Sequence, residues 1–205
     1  MTDFKIEVNL TTEPKQKPDF DHLEFGKNFT DHMFIVDYTE GKGWHDARIV
    51  PYQPLTLDPA SMVFHYGQTV FEGLKAYHTE NNDVLLFRPD MNMKRLNRSN
   101  DRLCIPPIDE ELALAAIQKI IDIEREWVPT AQGTSLYIRP FIFATEPYLG
   151  VAPSSRYKFI VILSPVGAYY KEGINPVKIA VQRKYVRATI GGTGNAKTAG
   201  NYAGS

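Results

Sequence analysis

The chain has 205 residues, 43% of them hydrophobic and 23% charged, so it can bury a substantial core without disulfides or a structural metal. Its 23 basic and 24 acidic residues leave a net charge of −1, which excludes the basic footprint typical of nucleic-acid or anionic-membrane binding. The single Cys104 excludes an internal disulfide, and no two histidines have the i, i+4 spacing of a helical metal site. No apolar run approaches a membrane span of ~20 residues, and the first residues lack a signal-peptide pattern, so we expect a cytoplasmic protein without a bound metal.

The first part of the chain predicts an irregular arm followed by strands. Residues 1–30 are polar and contain Pro14 and Pro18, which indicates an arm rather than a core element. Segments rich in β-branched and aromatic residues then predict strands, the first two joined as a hairpin. These segments are 33–38, 47–52, 71–77, 84–87, 135–143 and 158–163.

Two helices are predicted between the strands. The first runs over 90–103 with Asp90 as its cap, and the second runs over 109–127 and is ended by Pro129. The second has a broad apolar face, which predicts a packing role. Arg95, Arg98 and Arg102 share one face of the first helix and could hold an anion, although such a stripe is more typical of a solvated surface.

The end of the chain predicts a change of domain. Segment 165–176 contains Pro165, Gly167 and Gly173, as expected of an interdomain linker, and 177–188 reads as a new strand. We therefore predict an α/β chain with an arm at 1–30, a small domain at 31–164, a linker at 165–176 and the start of a second domain at 177–205.

Lys197 lies in a segment, 191–202, that is unusually rich in glycine. Small neighbours allow a ligand to approach closely and allow the amine to be desolvated, which favours a nucleophilic lysine. A flexible loop with an incidental lysine explains the composition equally well. Residues 191–198 also come within one residue of the nucleotide-binding pattern G-x-x-x-x-G-K-[ST], but Ala196 replaces its last glycine, so this P-loop alternative fits poorly.

Five segments of the chain together resemble the branched-chain amino acid aminotransferases, which are pyridoxal 5′-phosphate (PLP) enzymes of fold type IV. The segments are FGKNFTDHM at 25–33, HYGQTVFEGLKAY at 65–77, LFRPDMNMKRL at 86–96, GTSLYIRP at 133–140, and YVRA at 185–188 leading to Lys197 and Tyr202. The resemblance implies reversible amino transfer between leucine, isoleucine or valine and 2-oxoglutarate. It also implies that the small domain is the N-terminal domain of a two-domain enzyme.

The resemblance assigns a role to each candidate residue. Lys197 would attach PLP covalently and carry the transferred proton, Tyr202 would bond the phenolic oxygen of PLP, and Arg95 would contact its phosphate. Arg187 would lie near the cofactor. The family's substrate pocket corresponds to Phe25, Tyr66, Phe71, Tyr137, Arg139 and Val151, and Tyr66 with Gly150 and Val151 would serve the neighbouring subunit of a homodimer.

The resemblance also implies that much of the cofactor domain lies beyond residue 205. We therefore expect no transaminase activity from residues 1–205 alone, and we expect the lysine segment to be mobile and solvated for want of packing partners. A P-loop nucleotide-binding protein and an inactive domain that only dimerises or binds remain the alternatives at this point.

Overall fold

The structure, a computed structural model, describes residues 5–167 and 175–203. Its described residues form one eight-stranded sheet of order β1-β3-β2-β8-β7-β5-β6, with β4 also pairing with β7. All of these pairings are antiparallel except that of β1 with β3. The strands are β1 Glu7–Val8, β2 His32–Thr39, β3 Gly43–Pro51, β4 Thr69–Phe71, β5 Leu74–His78, β6 Val84–Leu86, β7 Ser135–Ala144 and β8 Arg156–Val166.

The helices are α1 Met62–Tyr66, α2 Pro89–Arg102 and α3 Glu110–Ile123, with 3-10 turns at Arg125–Trp127 and Ala199–Asn201. Asp109 caps α3, because its carboxylate accepts hydrogen bonds from the N–H groups of Glu111 and Leu112 at 2.8 and 3.1 Å. The predicted cap at Asp90 is wrong: α2 begins at Pro89, whose fixed φ suits a first helical position, and Asp90 lies inside the first turn. The second predicted helix also ends early, since its last turn is the 3-10 turn.

Alternation along β7 and β8 gives the sheet two different faces. Leu136, Ile138 and Ile142 on β7 belong to one buried cluster with the apolar sides of α2 and α3. The opposite face carries Tyr137 and Arg139, together with residues paired to them on β8. We call this second surface the site face, because the candidate residues Tyr137 and Arg139 lie on it.

The predicted strand over 71–77 is interrupted in the structure. β4 ends at Phe71 and β5 begins at Leu74, with Glu72 and Gly73 between them. A Cβ added to Gly73 would lie 2.3 Å from the Tyr137 hydroxyl, so only glycine lets these two chains approach so closely. Helix α1 was not predicted from the sequence; Gly67 caps its C-terminus in the left-handed conformation, with φ of 59°.

The predicted strand over 177–188 is wrong. The described residues of this segment form no strand, and Ile179, Val181 and Tyr185 are exposed. A strand needs a neighbour for its N–H and C=O groups, and none of the described residues pairs with the segment. β8 continues through Val166, so it takes in the first residues of the predicted linker, and linker residues 168–174 lie outside the described residues.

Residues 5–30, the described part of the predicted arm, are largely irregular apart from the short strand β1. In the parts of the chain that the structure describes, no helix is long and apolar enough to span a bilayer. Nor do histidine, cysteine, aspartate or glutamate side chains there gather into a group of three or more that could hold a metal ion.

Candidate active site

The segment that carries Lys197 is fastened between β4 and α2. The Phe71 N–H donates to the Lys197 carbonyl at 3.0 Å, and the Lys197 N–H donates to the Ser99 hydroxyl on α2 at 2.9 Å. The Thr198 hydroxyl donates to the Thr69 carbonyl at 2.7 Å. The expectation that this segment lacks packing partners is therefore wrong, because β4 and α2 supply them within this chain.

Asn201 holds the glycine-rich loop in shape. Its buried side-chain amide donates to the carbonyls of Thr193 and Ala196 at 2.9 and 2.8 Å and accepts the Thr193 hydroxyl at 2.9 Å. Arg102 on α2 donates to the carbonyls of Gly191 and Gly192 at 3.1 and 3.3 Å. This role of Asn201 and Arg102 could not be predicted, because a hydrogen bond from a side chain to a carbonyl leaves no spacing pattern in the sequence.

The Lys197 amine lies among aromatic groups. Its Nζ is 3.2 Å from the Tyr202 hydroxyl oxygen and 4.5 Å from the centre of the Phe71 ring. The Phe71 and Tyr202 rings meet edge to face at 5.0 Å. This arrangement offers a half-buried amine beside a phenol, which is suited to covalent attachment of a carbonyl compound and to proton transfer.

The structure gives no support to the P-loop alternative. Phosphate binding in a P-loop depends on a helix that begins directly after the lysine. Here Lys197 is followed by a 3-10 turn of three residues, Ala199–Asn201.

Arg95 is held by a buried carboxylate. Its Nε and Nη2 donate to the two oxygens of Glu72 at 2.6 and 2.7 Å, and this pairing raises the pKa of the Arg95 guanidinium above its ordinary value. The Glu72 side chain is fully buried, whereas that of Arg95 is 46% exposed. Tyr202 makes a smaller contribution to the raised pKa of Arg95, in the same direction as Glu72. Arg95 is therefore not simply a solvated member of the arginine stripe on α2.

A cavity of about 350 Å³ lies on the site face. Phe25 meets Tyr137 edge to face at 4.9 Å, and Arg139 donates to the Tyr137 hydroxyl through Nη2 at 2.8 Å. The Arg139 guanidinium also lies 4.6 Å from the Phe71 ring, so Phe71 joins the cavity to the lysine cluster. The cavity is lined by Phe25, Gly26, Phe29, Tyr137, Arg139, Ile162 and Ser164.

Three predicted site residues are not part of this arrangement within the chain. Tyr66 ends α1 and donates to the Leu149 carbonyl, and both Tyr66 and Val151 are exposed. Arg187 lies in the exposed segment after residue 175 and makes no hydrogen bond to any described residue. The structure therefore unites Lys197, Tyr202, Arg95, Phe71, Phe25, Tyr137 and Arg139, and leaves Tyr66, Val151 and Arg187 outside.

Sequence comparison relates the whole chain to one group of enzymes. Branched-chain-amino-acid aminotransferase 2 of Bacillus subtilis is 66% identical over 205 residues, which cover 100% of this chain and 56% of that protein. Branched-chain-amino-acid transaminase 1 of the same organism is 60% identical over 201 residues, covering 98% and 56%. The chain spans about half the length of the curated relatives it matches. No family model matches the chain.

Solved structures show the same fold. The branched-chain aminotransferase of Thermoproteus uzoniensis, crystallised with norvaline, aligns with a TM-score of 0.63 at 24% identity, covering 82% of this chain and 52% of that one. The T.th. branched-chain amino acid aminotransferase with pyridoxamine 5′-phosphate aligns with a TM-score of 0.59 at 27% identity, over the same shares. The predicted α/β fold class is therefore confirmed.

Proposed function

Because the chain belongs to the branched-chain amino acid aminotransferase family, we propose that it supplies the reactive lysine and the substrate pocket of a PLP-dependent transaminase. The reaction is reversible amino transfer between leucine, isoleucine or valine and 2-oxoglutarate. The observation that carries this proposal is the position of Lys197 Nζ, beside the Tyr202 hydroxyl and against the Phe71 ring.

The residues around Lys197 fit PLP. The amine is available for covalent attachment, the Tyr202 hydroxyl can bond the phenolic oxygen, and the exposed side of Arg95 can meet the phosphate. When bound, PLP supplies an electron sink for the negative charge that develops at the substrate Cα. Once the substrate amino group has displaced it from the cofactor, Lys197 Nζ would take the proton from the substrate Cα as a general base and give it to C4′ of the cofactor as a general acid, while the Tyr202 hydroxyl would orient the amine.

The cavity on the site face fits the substrate side chain. Phe25, Phe29 and Ile162 offer apolar walls to a branched aliphatic group. Arg139 brings a fixed positive charge to the same cavity, which suits the second carboxylate of glutamate or 2-oxoglutarate. Binding either kind of side chain in one pocket is what the proposed exchange of amino groups requires.

We also propose a homodimer, in which Tyr66 and Val151 face the active site of the neighbouring subunit. The support for it is the exposure of both residues, together with that of Phe64 on α1 and of Leu149, whose carbonyl accepts from Tyr66; we call these four residues the exposed patch around α1. We further propose that the protein has no nucleic-acid partner, which its balanced charge supports. A location in the reducing cytoplasm is proposed as well, and the single cysteine supports it.

Borohydride reduction of the full-length protein tests the assignment of Lys197. We expect one PLP to be fixed on the peptide that carries Lys197, and we expect Lys197→Ala to abolish both this label and leucine turnover while leaving the melting temperature unchanged. Lys184→Ala, which changes an exposed lysine outside the cluster, serves as the control and should retain both. Normal turnover by Lys197→Ala without an added amine would refute the proposal, and a protein that binds PLP without turnover would favour the inactive alternative.

A further inference from the structure

Glu72 is a buried carboxylate that the proposed mechanism does not use. It lies between β4 and β5, directly after Phe71, and its side chain is fully buried. One oxygen accepts from Arg95 Nε at 2.6 Å. The other accepts from Arg95 Nη2, the Asn92 amide and the Gly73 N–H at 2.7, 3.0 and 3.2 Å.

An ion pair with a fully buried carboxylate is a weak source of stability, because removing the Glu72 charge from water offsets most of its attraction to Arg95. Glu72 is therefore better explained by what it does to the direction of Arg95. A guanidinium whose Nε and Nη2 are both bound can turn only slightly, so its remaining Nη1 edge keeps one orientation. Asn92, one turn before Arg95 on α2, bonds the same carboxylate and fixes it in turn.

We propose that Glu72 is the positioning residue for phosphate binding by Arg95, and that it holds the free edge of the guanidinium toward the phosphate of the cofactor. This inference rests on the proposed function, since it requires that Arg95 meets a phosphate. Glu72 itself does not touch the cofactor. Its negative charge repels the phosphate, so the benefit it brings is orientation alone.

Glu72 thus has two opposing effects on phosphate binding, because it orients Arg95 and repels the phosphate. With Arg95 present, replacing Glu72 by glutamine frees the guanidinium to move, so phosphate binding weakens. With Arg95 replaced by alanine, the Glu72 carboxylate has lost its cation, and the same replacement removes an unpaired charge near the phosphate. The effect of Glu72→Gln on PLP affinity should therefore change sign between the two backgrounds.

The experiment is a double-mutant cycle on the full-length apoprotein, with PLP affinity measured by absorbance titration. We expect Glu72→Gln to weaken PLP binding about tenfold in the wild-type background, as for loss of a charge-assisted contact. In the Arg95→Ala background we expect the same substitution to strengthen binding. Weakening by the same factor in both backgrounds would overturn the proposal in favour of a general structural role. Stronger PLP binding in both backgrounds would show that Glu72 acts only as a repelling charge. Unchanged PLP affinity in both would show that Glu72 has no part in cofactor binding. Either result overturns the proposal.

Two further variants keep the result interpretable. Glu124 is also a buried glutamate, but it bonds His32 on β2, so Glu124→Gln should lower the melting temperature and leave PLP affinity unchanged. Asn92→Ala removes one hydrogen bond to the Glu72 carboxylate but keeps its ion pair with Arg95. It should weaken PLP binding less than Glu72→Gln does, and only when Arg95 is present. If Glu72→Gln does not fold, loss of this Arg95 dependence in Asn92→Ala would overturn the proposal. A wild-type protein that binds no PLP would overturn the proposed function as well, whereas binding without the sign change overturns this inference alone.

Discussion

Phe71 is in contact with both halves of the proposed site. The centre of its ring lies 4.5 Å from the Lys197 amine and 4.6 Å from the Arg139 guanidinium. Its backbone N–H also bonds the Lys197 carbonyl. A single residue at the end of β4 therefore sets the distance between the reactive amine and the pocket that would hold a substrate side chain.

Gly73→Ala is expected to disturb the pocket through Tyr137. The added methyl would lie 2.3 Å from the Tyr137 hydroxyl, so the ring must move and take its bond to Arg139 with it. We expect a loss of about 1–3 kcal/mol in stability, typical of overpacking, and a lower kcat/KM for leucine. Chemical denaturation and steady-state kinetics measure the two effects. Gly200→Ala, whose methyl would meet no atom within 4 Å, is the stability control, and an equal loss there would contradict this explanation.

Arg139→Ala is expected to separate the two half-reactions. Glutamate brings a second carboxylate into a largely apolar cavity, where a charge without a partner is costly, whereas leucine does not. We expect kcat/KM to fall about 10–100-fold for glutamate, matching loss of a charged hydrogen bond, and much less for leucine. Tyr66→Phe should show the same preference if Tyr66 reaches the neighbouring site. Arg98→Ala alters an exposed arginine and is the control; equal losses for both substrates would mean that Arg139 only shapes the cavity.

At the scale of elements, the sequence predicts well wherever local chemistry is sufficient. The runs that became β7 and β8 and the apolar face of α3 carry their period in the residues themselves. The break at Glu72 and Gly73 could not be predicted, because it depends on the approach of Tyr137 from a strand far along the chain. The strand predicted over 177–188 is wrong for a different reason. Its residues favour a strand, but a strand needs a pairing partner, which the described residues do not provide.

The two predicted helix caps give a direct comparison between local pattern and structure. Asp109 accepts two backbone N–H groups of α3, whereas Asp90 lies inside α2 and makes an exposed ion pair with Lys94 at 3.6 Å. We expect Asp109→Ala to cost about 1 kcal/mol of unfolding free energy and Asp90→Ala less than half of that. Urea denaturation of both variants measures the difference. A larger loss for Asp90→Ala would reverse the assignment of the caps.

At the scale of the whole molecule, the resemblance identified more of the site than any pattern could. Lys197 and Tyr202 lie in one segment near the end of the chain, whereas Arg95 lies on α2, and hydrogen bonds of Lys197 and Thr198 with β4 and α2 bring them together. The resemblance to branched-chain aminotransferases is confirmed by relatives that are 66% and 60% identical, and the fold is confirmed by the solved structures. Glu72, the partner of Arg95, was not predicted, because nothing local in the sequence shows which residue pairs with it; its one signal is that a glutamate is rare inside a strand-like apolar run.

The exposed patch around α1 supports the last prediction, which concerns assembly. Phe64, Tyr66, Leu149 and Val151 are 60%, 42%, 62% and 88% exposed, an apolar surface that a second subunit would cover. A carboxylate placed at the centre of such an interface loses its water without gaining a partner, so Val151→Asp should raise the dimer dissociation constant by at least about tenfold. Sedimentation velocity of the full-length protein over a range of concentrations measures this shift. Leu85→Asp, at a 57% exposed leucine on β6, is the matched control and should leave the dimer intact. A wild-type protein that is monomeric at micromolar concentration, or a dimer weakened equally by both variants, would show that this patch is not the interface.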